Sequence, residues 1–440
     1  MKRSRKSVRK YHRHAVPSAF SDLLSAGLLA PQSEAERRAR CWKPKALAYV
    51  ALMMSWIDGT SLADRFAAAT AAAGEMFRSL RLAGKSYQGF IEALRLQGAD
   101  LLDKVSVRLR AEIQALPCWT VMGVLAFAVD GSRVECPRTA ANQRQLKPAG
   151  RKKTGPQLSL TTIYHMGSGC AWDFRIGPGT DSERMHLRLM LAMLPAGATI
   201  VADAGFIGYD LLWAIIASGR HVIFRAGANV RLLRKLGYVQ VEDDSTVYLW
   251  PDKTQRNCQP PLRLRLIRWQ GGRHPVTAVT DVVSETELSV EQAGVLYRLR
   301  WGVEVFYRSL KQTLSRRKMR SGAPRQAKME LAWAVMGLWV LSLRSVQAIT
   351  AAHKTPHSLS IALALRQVRR AIAGRLPRYS RLEKLLAAAV KDRYVRRGPK
   401  SARDWPHKKN DKPPGAPQIV IATAEQRQKA EQLARNTLAA

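Results

Sequence analysis

The sequence predicts an α/β protein whose core is a mixed β-sheet flanked by helices. Between Val121 and Arg225, three β-like runs are followed by a helix, a strand, a second helix and a further strand. This alternation is typical of a sheet covered by helices on both faces. The chain has 440 residues, of which 46% are hydrophobic. It is therefore long and apolar enough for two or three domains, and too apolar to be disordered as a whole.

Each element of this core has its own local signal. The Asp-Gly pair at the end of the first run predicts a turn, and the glycines of Gly167-Ser168-Gly169 predict a hairpin connection. An acid or serine precedes the first helix as a cap. The predicted elements are the strands Val121–Asp130, Gln157–His165, Cys170–Ile176, Thr199–Ala202 and His221–Arg225, and the helices Asp181–Leu194 and Gly208–Ser218. This order is that of a ribonuclease-H-like core.

Composition divides the chain into five regions. Glycines punctuate the N-terminal helices, β-like runs interrupt the alternation after residue 225, and Lys400–Pro417 is rich in proline and lysine. The predicted regions are a helical domain at 1–115, which binds DNA or serves only for packing; the first part of the core at 119–225; a β-rich insertion at 226–289; a helical completion of the core at 290–345; and a basic C-terminal region at 356–440, helical and then flexible.

The net charge points to a polyanionic partner. Lys and Arg number 72 against 33 Asp and Glu, a formal charge of +39, which favours nucleic acid over a membrane surface. The longest apolar stretches, Ala46–Ile57 and Leu331–Leu343, are shorter than the ~20 residues of a membrane span. The five cysteines form no CxxC pair. A disulfide framework and a zinc site are therefore not expected, and a reducing cytoplasm fits.

Two aspartates stand where the predicted sheet would hold a catalytic site. Asp130 and Asp203 each close a predicted strand, and such strand ends line the crevice where open α/β sheets bind ligands. Phosphodiester chemistry assisted by metal ions needs carboxylates that converge on two hard cations ~4 Å apart. The alternative for each aspartate alone is structural, because Asp-Gly forms turns and Asp often caps a following helix.

A patterned helix supplies a third carboxylate. A helix from Ser289 to about Arg316 would place five polar side chains within an arc of about 80°, at ~100° per residue. They are Tyr297, Arg300, Glu304, Arg308 and Lys311. The opposite face is apolar and is expected to pack on the sheet, with Val295, Leu296, Leu299, Val303, Phe306 and Leu310. The alternative is an exposed face with i,i+4 ion pairs.

The spacing Tyr297-x2-Arg300-x3-Glu304-x6-Lys311 resembles the Tyr-Arg-Glu-Lys signature of DDE transposases of bacterial insertion sequence family four. The sequence around Asp130 and Asp203 is similar to the first and second acid motifs of that family. The resemblance runs from about Trp119 to Leu343, roughly half of the chain.

The resemblance implies a ribonuclease-H-like catalytic core with a β insertion between the second and third acids. It implies that Asp130, Asp203 and Glu304 bind two Mg²⁺ ions, with Mn²⁺ as a substitute. Tyr297, Arg300 and Lys311 would contact DNA, and helix geometry adds Arg308 to them. Some relatives stack a tryptophan of the insertion on a flipped base. Trp250 and Trp269 are the candidates here, although buried strand tryptophans are the simpler interpretation of both.

The expected function is that of a DNA transposase in the bacterial cytoplasm, associated with the nucleoid. The enzyme would cut DNA at terminal inverted repeats and join the ends to target DNA by two-metal-ion phosphoryl transfer. Its partners would be the repeat-bearing duplex, the target duplex and a second copy of the chain in the DNA complex, with no membrane involved. Two alternatives remain open: a non-catalytic DNA-binding protein on an inactivated transposase scaffold, and a plain metal-dependent nuclease.

Overall fold

A computed structural model describes residues 15–39, 41–74, 77, 80, 85–148, 155–239, 241–271, 274–376, 380–392 and 415–438. The chain divides into two compact units, each assembled from segments distant in sequence. The first unit comprises Met1–Trp119, Gly131–Glu183 and Gly302–Lys391. The second comprises Thr120–Asp130, Arg184–Trp301 and Asp392–Ala440.

The described strands are β1 Ala126–Glu135, β2 Gln157–His165, β3 Cys170–Pro178, β4 Thr199–Ala202, β5 His221–Arg225, β6 Arg231–Arg234, β7 Thr246–Leu249, β8 Leu262–Gly271, β9 His274–Thr280 and β10 Gln418–Ile421. The helices are α1 Glu34–Arg38, α2 Pro44–Trp56, α3 Leu62–Ala73, α4 Tyr87–Gln114, α5 Ala140–Leu146, α6 Glu183–Met190, α7 Tyr209–Ala217, α8 Asp252–Arg256, α9 Val290–Leu299, α10 Trp301–Arg308, α11 Pro324–Ala351, α12 Ile361–Ile372, α13 Leu382–Ala387 and α14 Ala424–Leu438.

The second unit contains a mixed sheet with the strand order β10-β6-β7-β8-β9-β5-β4-β1. Its centre is parallel: β1 pairs with β4, and β4 pairs with β5. Every residue of β4 is buried, as expected for a parallel strand covered on both faces. The strands of the predicted insertion are antiparallel, and β8 and β9 form its longest pair.

The first unit contains the part of β1 from Gly131 onward, followed in the strand order by β2 and β3. β2 and β3 form the predicted hairpin, with a register from Leu158↔Pro178 to His165↔Cys170. The predicted succession of three strands, helix, strand, helix and strand is confirmed. The sequence did not indicate α5, which lies between the first two strands.

The first unit is built around α11, a helix of 28 residues with 18 buried positions. The N-terminal helices pack directly on it. The Trp56 indole N–H donates a hydrogen bond to the carbonyl of Gly337 over 2.9 Å, and the close approach leaves no room for a Cβ on Gly337.

Length and composition would allow α11 to cross a membrane, contrary to the expectation that the apolar stretch is too short. However, 72% of its most apolar window is buried inside the protein. This burial is typical of a core helix.

The predicted turn at Asp130-Gly131 is wrong, because β1 continues without interruption through Glu135. Gly131 is instead a site of close packing within the strand. A Cβ on Gly131 would lie 2.1 Å from Cδ of Glu183, so the missing side chain makes room for that carboxylate. Glu183 in turn lies 3.4 Å from the guanidinium of Arg133, two residues further along the strand.

The C-terminal region differs from the expected flexible tail. Residues 393–414, with most of the proline- and lysine-rich stretch, lie outside the described residues. Beyond them, β10 pairs in parallel with β6, and α14 follows with 15 residues. The expectation is therefore wrong for 418–438. It rested on the composition of the preceding stretch, whereas the edge of β6 offers backbone hydrogen bonds that order these residues.

Candidate active site

The two aspartates belong to the neighbouring parallel strands β1 and β4 of the second unit, Asp130 within β1 and Asp203 directly after β4. The paired positions of β1 and β4 run from Ala126↔Thr199 to Ala128↔Val201. Extending this register by two residues brings Asp130 level with Asp203. Because adjacent strands lie ~4.8 Å apart, the sheet places two carboxylate-bearing residues side by side. Asp203 follows the end of β4 as predicted, whereas Asp130 lies inside β1.

The Asp203 carboxylate is held by three groups around one oxygen. Oδ1 accepts a hydrogen bond from the N–H of Ala204 at 2.8 Å and one from the hydroxyl of Tyr297 at 3.3 Å. The guanidinium of Arg225 lies 3.8 Å away. The side chain is nevertheless 46% exposed. The carboxylate is thus oriented by the protein and still accessible to a ligand.

Tyr297 links this carboxylate to an aromatic and cationic cluster. Its ring packs edge-on against Trp269, with the centroids 5.5 Å apart, and the Arg300 guanidinium carbon lies 5.2 Å from the ring centre. Burial, followed by the negative charge of Asp203, raises the pKa of Tyr297. The phenol therefore stays protonated at neutral pH and donates to Asp203.

Arg300 is more enclosed than a surface DNA contact would be. Only 8% of the residue is exposed, and its charge opposes the rise in the pKa of Tyr297. A cation over an aromatic face contributes about 1–2 kcal/mol when it is shielded from water. Arg300 therefore holds the Tyr297 ring from one side, while Trp269 holds it from another.

The remaining polar residues of the predicted stripe belong to the first unit. Glu304 is half-buried in α10, Arg308 is exposed at the end of that helix, and Lys311 is half-buried. Val303, Phe306 and Leu310 are buried as predicted.

The expected long helix is present but less regular than predicted. Arg300, between the end of α9 at Leu299 and the start of α10 at Trp301, keeps right-handed helical dihedrals, and Ser309–Thr313 forms a π-helical turn. Because this turn has i→i+5 hydrogen bonds, it is wider than an α-helical turn. It therefore shifts Lys311 from the angular position on the helix that a regular α-helical period gives it. Such π-turns often occur at functional sites.

The two tryptophan candidates differ in their environment. Trp250 is 3% exposed, and its indole N–H donates to the carbonyl of Gln259 at 2.7 Å. The interpretation of Trp250 as a buried strand-end tryptophan therefore fits. Trp269 packs on Tyr297 and against Gly294, where a Cβ would come within 3.4 Å of its ring.

Arg225 is a site residue that sequence reasoning missed. It ends β5, the strand adjacent to β4, and its charge reaches the same oxygen of Asp203 as the tyrosine. The available signal was its position: it closes a buried strand next to one that ends in an acid. An arginine there offsets the negative charge of the carboxylate.

The donor chemistry of the site suits a hard divalent cation. Asp130 and Asp203 offer carboxylate oxygens, the ligands that Mg²⁺ and Mn²⁺ prefer. The side chain of Asp203 is open to solvent on one side. Among the residues described, no three His, Cys, Asp or Glu side chains lie close enough to hold a metal ion by themselves.

Comparison with known proteins decides the class of the sheet-bearing segment. A family model described as "Transposase DDE domain" matches residues 125–340. This segment is a transposase DDE domain. The domain includes Asp130, Asp203, Glu304 and the rest of the predicted stripe, and the resemblance to DDE transposases is thereby confirmed.

A curated relative extends the similarity of the DDE domain. The chain is 27% identical over 237 residues to "Transposase InsG for insertion sequence element IS4" of Escherichia coli strain K12. The match covers 50% of this chain and spans about half (51%) of the relative. A solved structure, the piggyBac transposase synaptic complex with hairpin DNA, aligns with a TM-score of 0.41 and 10% identity over 90% of this chain and 88% of that one.

Proposed function

We propose that the protein is a DNA transposase that cuts DNA at the inverted-repeat ends of an insertion sequence and joins those ends to target DNA. The proposal rests on the transposase DDE domain at residues 125–340 and on the similarity to an IS4 transposase. The observation that carries it is the parallel register of β1 and β4, which, extended by two residues, brings Asp130 in β1 level with Asp203 directly after β4. A net charge of +39 suits a DNA substrate.

In this proposal Asp130, Asp203 and Glu304 hold two Mg²⁺ ions, for which Mn²⁺ can substitute. When bound, these ions activate the attacking water or 3′-hydroxyl and stabilise the leaving oxygen. Asp203 enters the reaction already oriented, because Ala204 and Tyr297 fix its Oδ1. Arg225, 3.8 Å away, limits the negative charge that accumulates at the strand ends.

The polar residues after the insertion would contact the DNA end. Arg308 is exposed and Lys311 half-buried, and both can neutralise phosphates. The role of Tyr297 and Arg300 includes support of the acid, since the phenol is bound to Asp203 and the guanidinium lies over its ring. Two copies of the chain would bring the two ends of one element together.

The experiment is cleavage of a duplex bearing the element's own terminal repeats, with Mg²⁺, by the wild type and by Glu304→Gln. The substitution keeps the shape of the side chain and removes its charge. Glu291→Gln is the matched control, because Glu291 is an exposed acid on the neighbouring helix α9. We expect cuts at the repeat ends from wild type and control, and a loss of at least about a thousandfold with Glu304→Gln.

The products distinguish the alternatives. Ends joined to a second duplex indicate a transposase, whereas cuts without joined products indicate a plain nuclease. Specific binding to the repeats without cutting by any of the proteins would favour an inactivated scaffold. Equal cutting by wild type and Glu304→Gln would contradict the assignment of the third acid.

A further inference from the structure

The first unit has a basic groove that the proposed catalytic residues do not explain. The groove encloses about 780 Å³, and Lys311 lies in its wall. The rest of the wall comprises Ser61, Leu62, Pro137, Ser315, Arg317, Lys318, Met319 and Arg320. Four of these nine residues are cations and none is acidic.

The segment that carries the cations, residues 316–320, has two buried and three exposed side chains. Arg316 and Met319 are buried, at 2% and 1% exposure, while Arg317, Lys318 and Arg320 are exposed. The buried guanidinium of Arg316 donates to the carbonyls of Leu314, Met54 and Ser55 at 2.7–2.9 Å. Arg316 thus ties the segment to the N-terminal helices from the inside.

Backbone contacts fix the other side of the same segment. The N–H of Met319 donates to the carbonyl of Glu135 at 2.8 Å, and Lys318 forms a parallel bridge with Glu135 at the end of β1. The N–H groups of Arg320 and Ser321 donate to the carboxylate of Glu330 at 3.0 Å. Because the backbone is held at both ends, binding at the outward side chains would cost little ordering of the main chain.

The nearby acids are held by main-chain N–H and hydroxyl groups. Glu330 accepts three hydrogen bonds from Arg320 and Ser321 through one of its oxygens. The carboxylate of Asp64 accepts hydrogen bonds from the hydroxyl of Thr60 and the N–H of Ser61 at the start of α3; these bonds lower its pKa, and the charge of Arg320 lowers it further. In the described part of the chain, no carboxylate lies within 4 Å of the charged groups of Arg317, Lys318 or Arg320. With four cations and no acid in its wall, the groove therefore keeps a net positive charge.

From this geometry we infer that Arg317, Lys318 and Arg320 bind the phosphates of a DNA backbone that runs along the groove past Lys311. The inference rests on the proposed function and extends it, because it adds a second row of phosphate contacts outside the three acids. The contacts recognise phosphodiesters and not bases, since a row of flexible cations carries no base-edge pattern. The duplex that supplies the phosphates is either the repeat-bearing end or the target.

The test compares the full-length wild type with the triple variant Arg317→Ala/Lys318→Ala/Arg320→Ala. Fluorescence anisotropy measures binding to a repeat-bearing duplex and, separately, to an unrelated duplex of equal length, between 50 and 300 mM salt. The matched control is Arg366→Ala/Arg370→Ala/Lys384→Ala, which removes three exposed cations from α12 and α13 of the same unit. Thermal unfolding of both variants checks that they fold as the wild type does.

The inference predicts that the triple variant loses about a hundredfold in affinity near 0.15 M salt. The slope of log K against log salt should become shallower by about two to three, because each lost phosphate contact removes ~0.9. The control should change by much less in both quantities. Loss confined to the repeat-bearing duplex assigns the groove to the transposon end, and loss confined to the unrelated duplex assigns it to the target.

Equal losses in the triple variant and its control would overturn the inference, since the effect would then be one of net charge. An unchanged salt slope in a folded triple variant would also overturn it. The proposed function is judged separately, by repeat-end cleavage with the wild type. A wild type that cuts, together with a triple variant that binds normally, contradicts the groove alone.

Discussion

The hydroxyl of Tyr297 donates a hydrogen bond to Oδ1 of Asp203 over 3.3 Å. The two residues are 94 positions apart in the chain, on either side of the β-rich segment that contains β6 to β9. The bond aligns one lone pair of the carboxylate and leaves the other oxygen available. A residue that sequence similarity assigns to DNA contact therefore also acts on an acid of the proposed site.

We predict that Tyr297→Phe lowers the rate of repeat-end cleavage about tenfold and leaves DNA affinity within about twofold. The substitution keeps the ring between Trp269 and Arg300 and removes the phenol oxygen, which donates to Asp203 and also contacts the side chain of Arg225. A hydrogen bond to a charged acceptor contributes about 1.5 kcal/mol. Single-turnover cleavage and anisotropy measure the two quantities. Tyr209→Phe is the control, because it deletes a phenol bonded to a backbone carbonyl, that of Pro260. Affinity loss without rate loss would assign Tyr297 to DNA contact alone.

Chelation of divalent metal should abolish cleavage and preserve binding to the repeat-bearing duplex. Asp203→Asn should reduce cleavage at least about a hundredfold at saturating Mg²⁺, because the amide supplies one neutral oxygen in place of a charged carboxylate. Titration of cleavage against Mg²⁺ tests both statements. Asp210→Asn removes an exposed acid of α7 and should behave as the wild type. Full activity in the presence of excess chelator would exclude the metal-dependent mechanism.

Gly167→Ala should destabilise the first unit by about 3 kcal/mol. A Cβ at this position would lie 2.0 Å from the carbonyl oxygen of Cys118, and a backbone atom cannot move aside as a side chain can. Denaturant unfolding measures the loss. Gly27→Ala, where nothing lies within 4 Å of the added Cβ, should stay within about 0.5 kcal/mol of the wild type. Equal stabilities of the two variants would show that the turn relaxes freely.

The free energy of unfolding should decrease in mild acid because of the buried side chain of His165. The imidazole is fully buried, between the carbonyl of Trp119 on Nε2 and the hydroxyl of Ser168 on Nδ1. Burial lowers the pKa of His165 to about 4 from 6.5. The unfolded chain therefore binds the proton more readily than the folded chain between these values. The contribution of the neutral, buried imidazole to the free energy of unfolding is therefore fully present above pH 6.5 and is lost as the pH falls towards 4.

The expected loss in unfolding free energy from this histidine is about 2 kcal/mol between pH 7 and pH 5. Urea unfolding of the wild type and of His165→Gln at both pH values isolates it, because the glutamine variant retains every other titrating group. A wild-type pH dependence equal to that of the variant would refute the prediction.

Local sequence was sufficient to predict the centre of the sheet. Thr199–Ala202 and His221–Arg225 were predicted with the bounds that the structure has. Both are short apolar runs between polar or glycine-containing turns, and burial on two faces leaves them little alternative. Asp203 could be placed directly after its strand for the same reason, whereas the prediction that Asp130 ends a strand is wrong, because β1 continues to Glu135.

Tertiary contacts decided the features that the sequence could not predict. The sequence predicts that Gly131 is a turn residue. Its actual role, to leave space for the Glu183 carboxylate, depends on a residue 52 positions away and has no local signal. The regular period assumed for the patterned helix did not include the π-turn at Ser309–Thr313. The parallel pairing of β10 with β6 joins segments that share no local signal.

The hydrogen bond from Trp56 to Gly337 has a consequence for how the protein is made. The two residues are 281 positions apart, and ribosomes add about 5–20 residues per second. Trp56 and the helices around it therefore wait about 15–60 seconds for their partner to be synthesised. During that interval the nascent N-terminal helices expose the surface that α11 later covers. A ribosome that stalls before residue 337 leaves a chain suited to chaperone capture and proteolysis.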